Sequence, residues 1–248
     1  MRHLTLAAAL LAGTAALAPM PALAQKVLLA NDFDSENGGQ TALNYALPGF
    51  FMPIGGTSVD LVRSGDYGIA CAGGSGSCLD LDGTTNSAGL LLSNDVWNFK
   101  AGDVFTLTYS FSGSQRSVSP SDGFFVGFDL DDRHVFDYEF ITSNGRNESG
   151  TLFEAGFGQY KPNTPFDFAF TDVTLRFRPR DSGFFGIRID GYSGDPADRD
   201  DDNNGIIFDN LRLTQAVPEP ASWGMMILGF GAMGLAMRRR VRTRVAFG

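Results

Sequence analysis

Hydrophobic and polar residues alternate with a period of two along the middle of the chain. In VFTLTYSF, residues 104–111, large apolar side chains alternate with Thr and Ser. VTLRFR at 173–178 and FFGIRID at 184–190 repeat the pattern. Because successive side chains of a strand point to opposite faces of a sheet, these runs predict half-buried antiparallel strands.

Shorter runs of the same kind predict more strands, at 26–30, 58–62, 77–81, 89–92, 124–130, 152–157 and 205–214. Turn residues separate them, and no helical periodicity interrupts them between residues 25 and 214. This number of strands predicts an all-β fold, an antiparallel β-sandwich of jelly-roll type. A closed barrel is the alternative.

The two ends of the chain have a different character. The first residues combine a basic start, an apolar run from Leu4 to Ala18 and an A-x-A site at Ala22 and Ala24. This arrangement predicts a secretory signal peptide over residues 1–24. The exported domain is then 25–216, and a separate C-terminal segment occupies 217–244.

The C-terminal segment has no charged residue from Ala221 to Met237, and five arginines follow. A helix of that length reaches about 25 Å, enough for a short transmembrane helix at about 221–237. Gly229 to Gly234 match G-x-G-x-x-G, but only 14 residues follow. They leave no room for the strand and acidic residue that a dinucleotide-binding loop requires.

This segment closely resembles the PEP-CTERM sorting signal of Gram-negative bacteria. That pattern consists of a Pro-Glu-Pro motif, an apolar helix and a basic end. The matching residues are Pro218, Glu219, Pro220, Trp223, Gly229, Gly231, Arg238, Arg239 and Arg240. The resemblance covers about a tenth of the chain and concerns sorting alone.

The predicted signal peptide indicates export by the Sec machinery. The resemblance implies processing near Pro-Glu-Pro by an exosortase, a membrane-embedded cysteine protease. The precursor would be anchored in the inner membrane, with its domain in the periplasm and its arginines in the cytoplasm. After processing, the domain would reach the cell surface or the extracellular space.

The exported domain is strongly acidic. It holds 13 of the 19 Lys and Arg residues and 27 of the 28 Asp and Glu residues, a net charge of −14. Nucleic acid is therefore excluded as a partner, because its phosphates require a basic surface. Calcium binding, or solubility of the domain, better explains the excess of acidic residues.

Two cysteines, Cys71 and Cys78, flank a Gly/Ser-rich loop. In an exported protein an even pair at this spacing predicts a disulfide.

Two patterns suggest calcium. Asp200, Asp202 and Asn204, followed by a glycine, match the first positions of a calcium loop, but Leu211 replaces the final Glu. Asp209 alternates in phase with Ile207, Leu211 and Leu213, so its side chain is expected to point inward unless a bulge shifts the register. A buried carboxylate needs partners. Either backbone groups bind Asp209, or it helps to hold a structural Ca²⁺ with Asp32 or Asp34, at the end of the first strand.

The order of four segments also resembles galactose-binding-like jelly rolls, which implies a fold with carbohydrate-binding relatives. The segments are SVDLV at Ser58–Val62, SCLDLDG at Ser77–Gly83, AGDVFTLTYSFSG at Ala101–Gly113 and GIIFDNLRLT at Gly205–Thr214. Trp97 and Tyr67 are the candidate glycan contacts, and core packing is the simpler role for each. The exported domain retains one histidine, His134, and contains neither G-x-S-x-G nor H-E-x-x-H.

We therefore expect an exported, exosortase-sorted, non-catalytic protein of the cell envelope or extracellular matrix, with a structural or interaction role. The alternatives are a carbohydrate-binding module for extracellular polysaccharide, and a glycan-active hydrolase with an unrecognised site.

Overall fold

The computed structural model describes residues 24–53, 58–84, 88–113, 115–116, 123–130, 133–152, 167–192, 205–217 and 220–239. Among the described residues, those within Gln25–Ala216 belong to one compact unit, and the C-terminal helix belongs to a separate one. The predicted signal peptide lies outside the described residues, except for Ala24.

Thirteen strands lie within the described ranges. In chain order they are β1 (Ala24–Asn31), β2 (Phe50–Phe51), β3 (Asp60–Arg63), β4 (Ser77–Asp80), β5 (Leu90–Ser93), β6 (Trp97–Phe99), β7 (Phe105–Ser112), β8 (Gly123–Leu130), β9 (Phe136–Thr142), β10 (Asn147–Leu152), β11 (Thr171–Pro179), β12 (Gly183–Tyr192) and β13 (Ile207–Val217). Short 3-10 turns lie at Glu36–Gly39, Asp66–Gly68 and Ala72–Gly74.

The strands form two sheets. The larger sheet has the order β10-β9-β11-β7-β13-β4-β3, and β1 also pairs with β13. The smaller sheet has the order β2-β5-β12-β6, and β8 also pairs with β12. Pairing is antiparallel between β11 and β7, between β13 and β4, and between β12 and β8. The last strand, β13, therefore lies inside the larger sheet.

The register of β11 and β7 follows directly from their alternating sequences. Val173, Leu175 and Phe177 lie opposite Tyr109, Leu107 and Phe105. All six side chains are buried. The polar positions between them pair with one another, as Thr174 does with Thr108. One face of this strand pair is therefore apolar and the other polar.

Aromatic rings from the two sheets meet in the core. Phe185 of β12 packs edge-on against Phe105 of β7, with ring centroids 5.2 Å apart. Phe128 of β8 lies 4.4 Å from Phe177 of β11. Such contacts across the interior fix the two sheets face to face. The predicted all-β, antiparallel sandwich is confirmed.

Some strands differ from the prediction. β2, β6 and β9 were not expected. β10 ends at Leu152, so the predicted strand at 152–157 overlaps it by one residue, and 153–166 lie outside the described residues.

The C-terminal helix, α1, covers Pro220–Arg239. The helix itself is confirmed, but the membrane-spanning prediction for 221–237 is not: no helix among the described residues is long and apolar enough to cross a membrane.

Candidate functional site

The candidate site lies at the end of the larger sheet where β3 and β4 pair. Leu61 of β3 and Leu79 of β4 belong to the main core. Their strand neighbours Val62 and Cys78 belong to a second, smaller apolar cluster. Because side chains alternate along a strand, this second cluster lies on the opposite face of the sheet. The cluster consists of Val62, Ile69, Cys71, Cys78 and Ile207.

The predicted disulfide between Cys71 and Cys78 is confirmed. Both sulfur-bearing side chains are buried in the second cluster. Cys71, Cys78 and Asp209 present atoms within 4.8 Å of one another. Since both cysteines are oxidised, their sulfurs are not thiolate ligands, and this trio does not form a metal site.

Two carboxylates hold the loop that the disulfide closes. Asp209 Oδ2 accepts a hydrogen bond from the Ala72 backbone N–H at 3.0 Å. Asp34 Oδ1 accepts one from the Ser77 N–H at 2.8 Å. Ala72 and Ser77 lie next to the two cysteines, so each end of the loop has its own acceptor. We call residues 72–77 the disulfide loop.

A bulge in β13 places Asp209 here. The register with β7 shifts between Asp209 and Arg212, and Asn210 has φ of 56°. As a result Phe208, Leu211 and Leu213 belong to the main core, whereas Ile207 belongs to the second cluster. The prediction that Asp209 faces the same side of the sheet as Leu211 and Leu213 is therefore wrong, because the extra residue of the bulge reverses the alternation of side chains.

Asp209 is only 3% exposed. Burial raises its pKa to about 7, the negative charges of Asp34 and Asp32 act in the same direction, and the N–H groups of Ala72 and Asn210 oppose them. The structure thus contains the backbone hydrogen bonds that were one alternative for Asp209. Calcium binding by Asp209 with Asp32 or Asp34 stays a prediction.

The residues of the predicted calcium loop, Asp200, Asp202 and Asn204, lie outside the described residues.

A second buried carboxylate, Asp80, lies at the end of β4. Its Oδ2 is 2.7 Å from Arg116 Nη2, and its Oδ1 accepts hydrogen bonds from the N–H groups of Gly205 and Asp82. Burial raises the pKa of Asp80 to about 7, although Arg116 and the two N–H groups lower it. Asp80 therefore fixes the position of Arg116.

Arg116 helps to line a pocket of about 200 Å³, which we call the Tyr67 pocket. Its lining residues are Leu43, Asp60, Val62, Tyr67, Thr84 and Arg116. Asp60, 4% exposed, accepts hydrogen bonds from the Asn44 N–H at 2.7 Å and the Thr84 hydroxyl at 3.0 Å. The pocket therefore combines an aromatic ring with a carboxylate, a hydroxyl and a guanidinium.

Tyr67 is the most exposed aromatic residue of the domain among those described, at 56%. It lies in a tight loop closed by hydrogen bonds from Gly65 N to Ile69 O at 2.7 Å and from Ile69 N to Asp66 O at 2.9 Å. Its φ of 53° is uncommon for a bulky residue. Such conformations persist where the surrounding structure enforces them, often at functional sites.

Trp97, the other predicted glycan contact, has a different environment. It is partly buried, and its ring centroid lies 5.7 Å from that of Phe185 in the core. It is absent from the described lining of the Tyr67 pocket. The structure therefore does not bring Trp97 and Tyr67 together.

Five lining residues were not predicted as site residues: Leu43, Asp60, Val62, Thr84 and Arg116. They come from separate loops and strands, so no spacing connects them. Arg116 offered the best available signal, because it is the single basic residue in the Ser-rich stretch from Ser112 to Ser121.

His134 is part of the packing around Phe99. The two rings meet edge-on with centroids 5.0 Å apart, and His134 Nδ1 lies 3.1 Å from Asp181 Oδ1. Because His134 is only 6% exposed and packs against Phe99, its surroundings are those of a core residue.

Residues 216–240 match the PEP-CTERM protein-sorting motif, so the chain carries this motif at its C-terminal end. No curated protein matches the chain.

Two solved structures similar to this chain are the CBM22-1 and CBM22-2 xylan-binding domains of Paenibacillus barcinonensis Xyn10C. The first is 11% identical, covers 80% of this chain and 99% of its own, and has a TM-score of 0.34. The second is 13% identical, covers 75% of this chain and 98% of its own, and has a TM-score of 0.34. Likenesses this distant say nothing about the ligand of this chain.

Proposed function

We propose that this protein is an exported, non-catalytic interaction protein of the cell envelope, sorted by an exosortase. The observation that carries the proposal is the PEP-CTERM motif at residues 216–240. Its Pro-Glu-Pro sequence directly follows the folded domain, because β13 ends at Val217 and Pro218 begins that sequence. Cleavage near that sequence would release a complete β-sandwich.

The strongly acidic domain fits this role. Its net charge of −14 keeps it soluble outside the cell and disfavours binding to phosphate-rich polymers. During export and sorting, its partners are the Sec machinery, the inner membrane and the exosortase.

The test is to express the chain in a bacterium that has an exosortase and to replace Glu219 by Ala. We expect Glu219→Ala to accumulate as an uncleaved precursor in the membrane fraction. The matched control, Glu148→Ala, changes an exposed acidic residue in the domain and should be processed normally. Equal processing of both variants would contradict exosortase sorting.

A second candidate function is carbohydrate binding, favoured by the Tyr67 pocket. Sugar rings present C–H groups on a face and hydroxyl groups around the edge. An exposed tyrosine can pack against that face, while convergent polar groups bind the hydroxyls. The Tyr67 ring and the polar side chains of Asp60, Thr84 and Arg116 supply both kinds of contact.

The hydrolase alternative is less well supported. Glycosidases use two carboxylates on either side of the scissile bond. Among the described lining residues of the Tyr67 pocket, Asp60 is the single carboxylate, and it already accepts hydrogen bonds from Asn44 and Thr84. The nearby Asp80 is fully buried. Binding without cleavage is the better interpretation of this arrangement.

A glycan array with the full chain tests carbohydrate binding. We expect retention of at least one polysaccharide by wild type, and no decrease in its chain length during incubation. Cleavage of the bound glycan would instead support the hydrolase, and no retention would contradict carbohydrate binding.

A further inference from the structure

We propose that the Tyr67 pocket binds the terminal ring of a neutral glycan, or the free monosaccharide, and does not bind the interior of a chain. This inference rests on the proposed carbohydrate-binding function and specifies its ligand.

The size of the pocket limits the ligand to one ring. Its volume of about 200 Å³ is below the roughly 300–1,000 Å³ typical of pockets for drug-sized ligands. Val62 is buried, whereas Leu43 and Tyr67 are 46% and 56% exposed. A buried base with projecting side chains forms a recess, and a recess accepts the end of a chain more readily than its middle.

The polar groups match a set of hydroxyls. A hydroxyl both donates and accepts hydrogen bonds. Asp60 offers acceptor oxygens and Arg116 offers N–H donors, while the Thr84 hydroxyl, which donates its proton to Asp60, offers acceptor lone pairs. Neighbouring hydroxyls on one ring could contact all three residues while its C–H face packs against Tyr67.

The charges favour a neutral ring over an acidic one. Arg116, the basic residue in the described lining, forms an ion pair with Asp80 at 2.7 Å. Asp60 adds a carboxylate to the same pocket, in a domain with a net charge of −14. A uronic acid would therefore approach an acidic surface in which the nearest cation is already paired.

The pocket is also preorganised. The Asp60 carboxylate is held by Asn44 and Thr84, Arg116 is held by Asp80, and two backbone hydrogen bonds close the Tyr67 loop. Little side-chain or loop ordering remains to be done on binding, which lowers its entropic cost. A ligand as small as one ring can then bind measurably.

The experiment compares the full-length wild type with Tyr67→Ala and Thr84→Val on a glycan that wild type retains. The matched control is Phe51→Ala, which removes another exposed ring, 48% exposed, outside the pocket. We expect Tyr67→Ala and Thr84→Val to weaken binding about tenfold, the effect of losing roughly 1.4 kcal/mol of contacts. Phe51→Ala should bind as wild type does.

The ligand is then varied. We expect the free neutral monosaccharide to compete, and enzymatic removal of the terminal ring to abolish binding. Binding of the trimmed glycan, preference for uronic acids, or equal loss in Phe51→Ala and Tyr67→Ala would overturn the terminal-ring inference while leaving carbohydrate binding intact. Failure of wild type to bind any glycan would overturn both.

Discussion

Asp34 and Asp209 accept hydrogen bonds from opposite ends of one disulfide loop, although they lie 175 positions apart in the chain. Asp34 follows the first strand, and Asp209 belongs to the last. The loop thus ties the beginning of the domain to its end. The same loop leads into β4, which carries Asp80 and so positions Arg116 in the Tyr67 pocket.

Gly76 should be the least replaceable glycine of the disulfide loop. Its φ is 78°, and an added Cβ would overlap the Asp34 carboxylate. Gly74 has a similar φ of 77° but has open space around its Cβ position. Gly74→Ala should therefore cost about 1 kcal/mol of unfolding free energy from backbone strain alone.

Gly76→Ala should cost about 1–3 kcal/mol more, because it also displaces the Asp34 acceptor from Ser77. Urea unfolding of the two variants gives both values. Equal losses would show that the contact between Asp34 and the loop contributes nothing.

The disulfide should stabilise the domain through the unfolded state. Cys71→Ser combined with Cys78→Ser should lower the free energy of unfolding by about 2–3 kcal/mol, as the chain-entropy estimate for so short a loop gives. Wild type treated with a reducing agent should reach the same value. A loss that appears in the double variant but not on reduction would point to packing of the second cluster as the cause.

The stability of the domain should fall as the pH rises from 5 to 8. Burial raises the pKa of Asp209 from its ordinary value of 3.8 to about 7, so the folded state binds this proton more tightly than the unfolded state. The resulting stabilisation is present below pH 3.8 and is lost as the pH rises through 7. Asp80 acts in the same direction, with a pKa of about 7.

Asp209→Asn removes one of these groups, so the fall between pH 5 and pH 8 should be smaller than in wild type. Asp137→Asn is the control, because hydrogen bonds from Arg180 lower the pKa of Asp137 and keep its titration below this range. Unfolding in urea at the two pH values measures the difference. An equal or steeper fall in Asp209→Asn would contradict the assignment.

Calcium provides a separate test of the same carboxylates. If Asp32, Asp34 and Asp209 hold Ca²⁺, millimolar calcium should raise the Tm of wild type, and a chelator should reverse the shift. Asp209→Asn should lose the response. An unchanged Tm in wild type would leave backbone hydrogen bonding as the whole role of Asp209.

The regular part of the fold was readable from the sequence. β7, β11 and β12 alternate over at least six residues, so their strand character and buried faces follow from the pattern alone. β9 carries the same signal in Phe136, Tyr138 and Phe140, and it was overlooked. β6 has only three residues, too few for periodicity to show.

The site was much less predictable. Asn210 adds one position to β13, so the residues after it face the opposite side of the sheet from the one that simple alternation predicts. Asn adopts positive φ more readily than most residues, so Asn210 is compatible with a bulge, but the sequence alone does not fix where the register shifts. The Tyr67 pocket unites residues from position 43 to position 116, brought together by strand pairing and by the ion pair of Asp80 with Arg116. Contacts of this range depend on tertiary structure, which local patterns do not encode.

Intact-mass spectrometry of the protein recovered from the cell envelope or the medium tests the central claim of export and sorting most directly. We expect a chain that begins at Gln25, keeps the Cys71–Cys78 disulfide and ends near Pro218, without the helix and the terminal arginines. Recovery of the whole 248-residue chain from the cytoplasm, with both ends intact, would contradict the account.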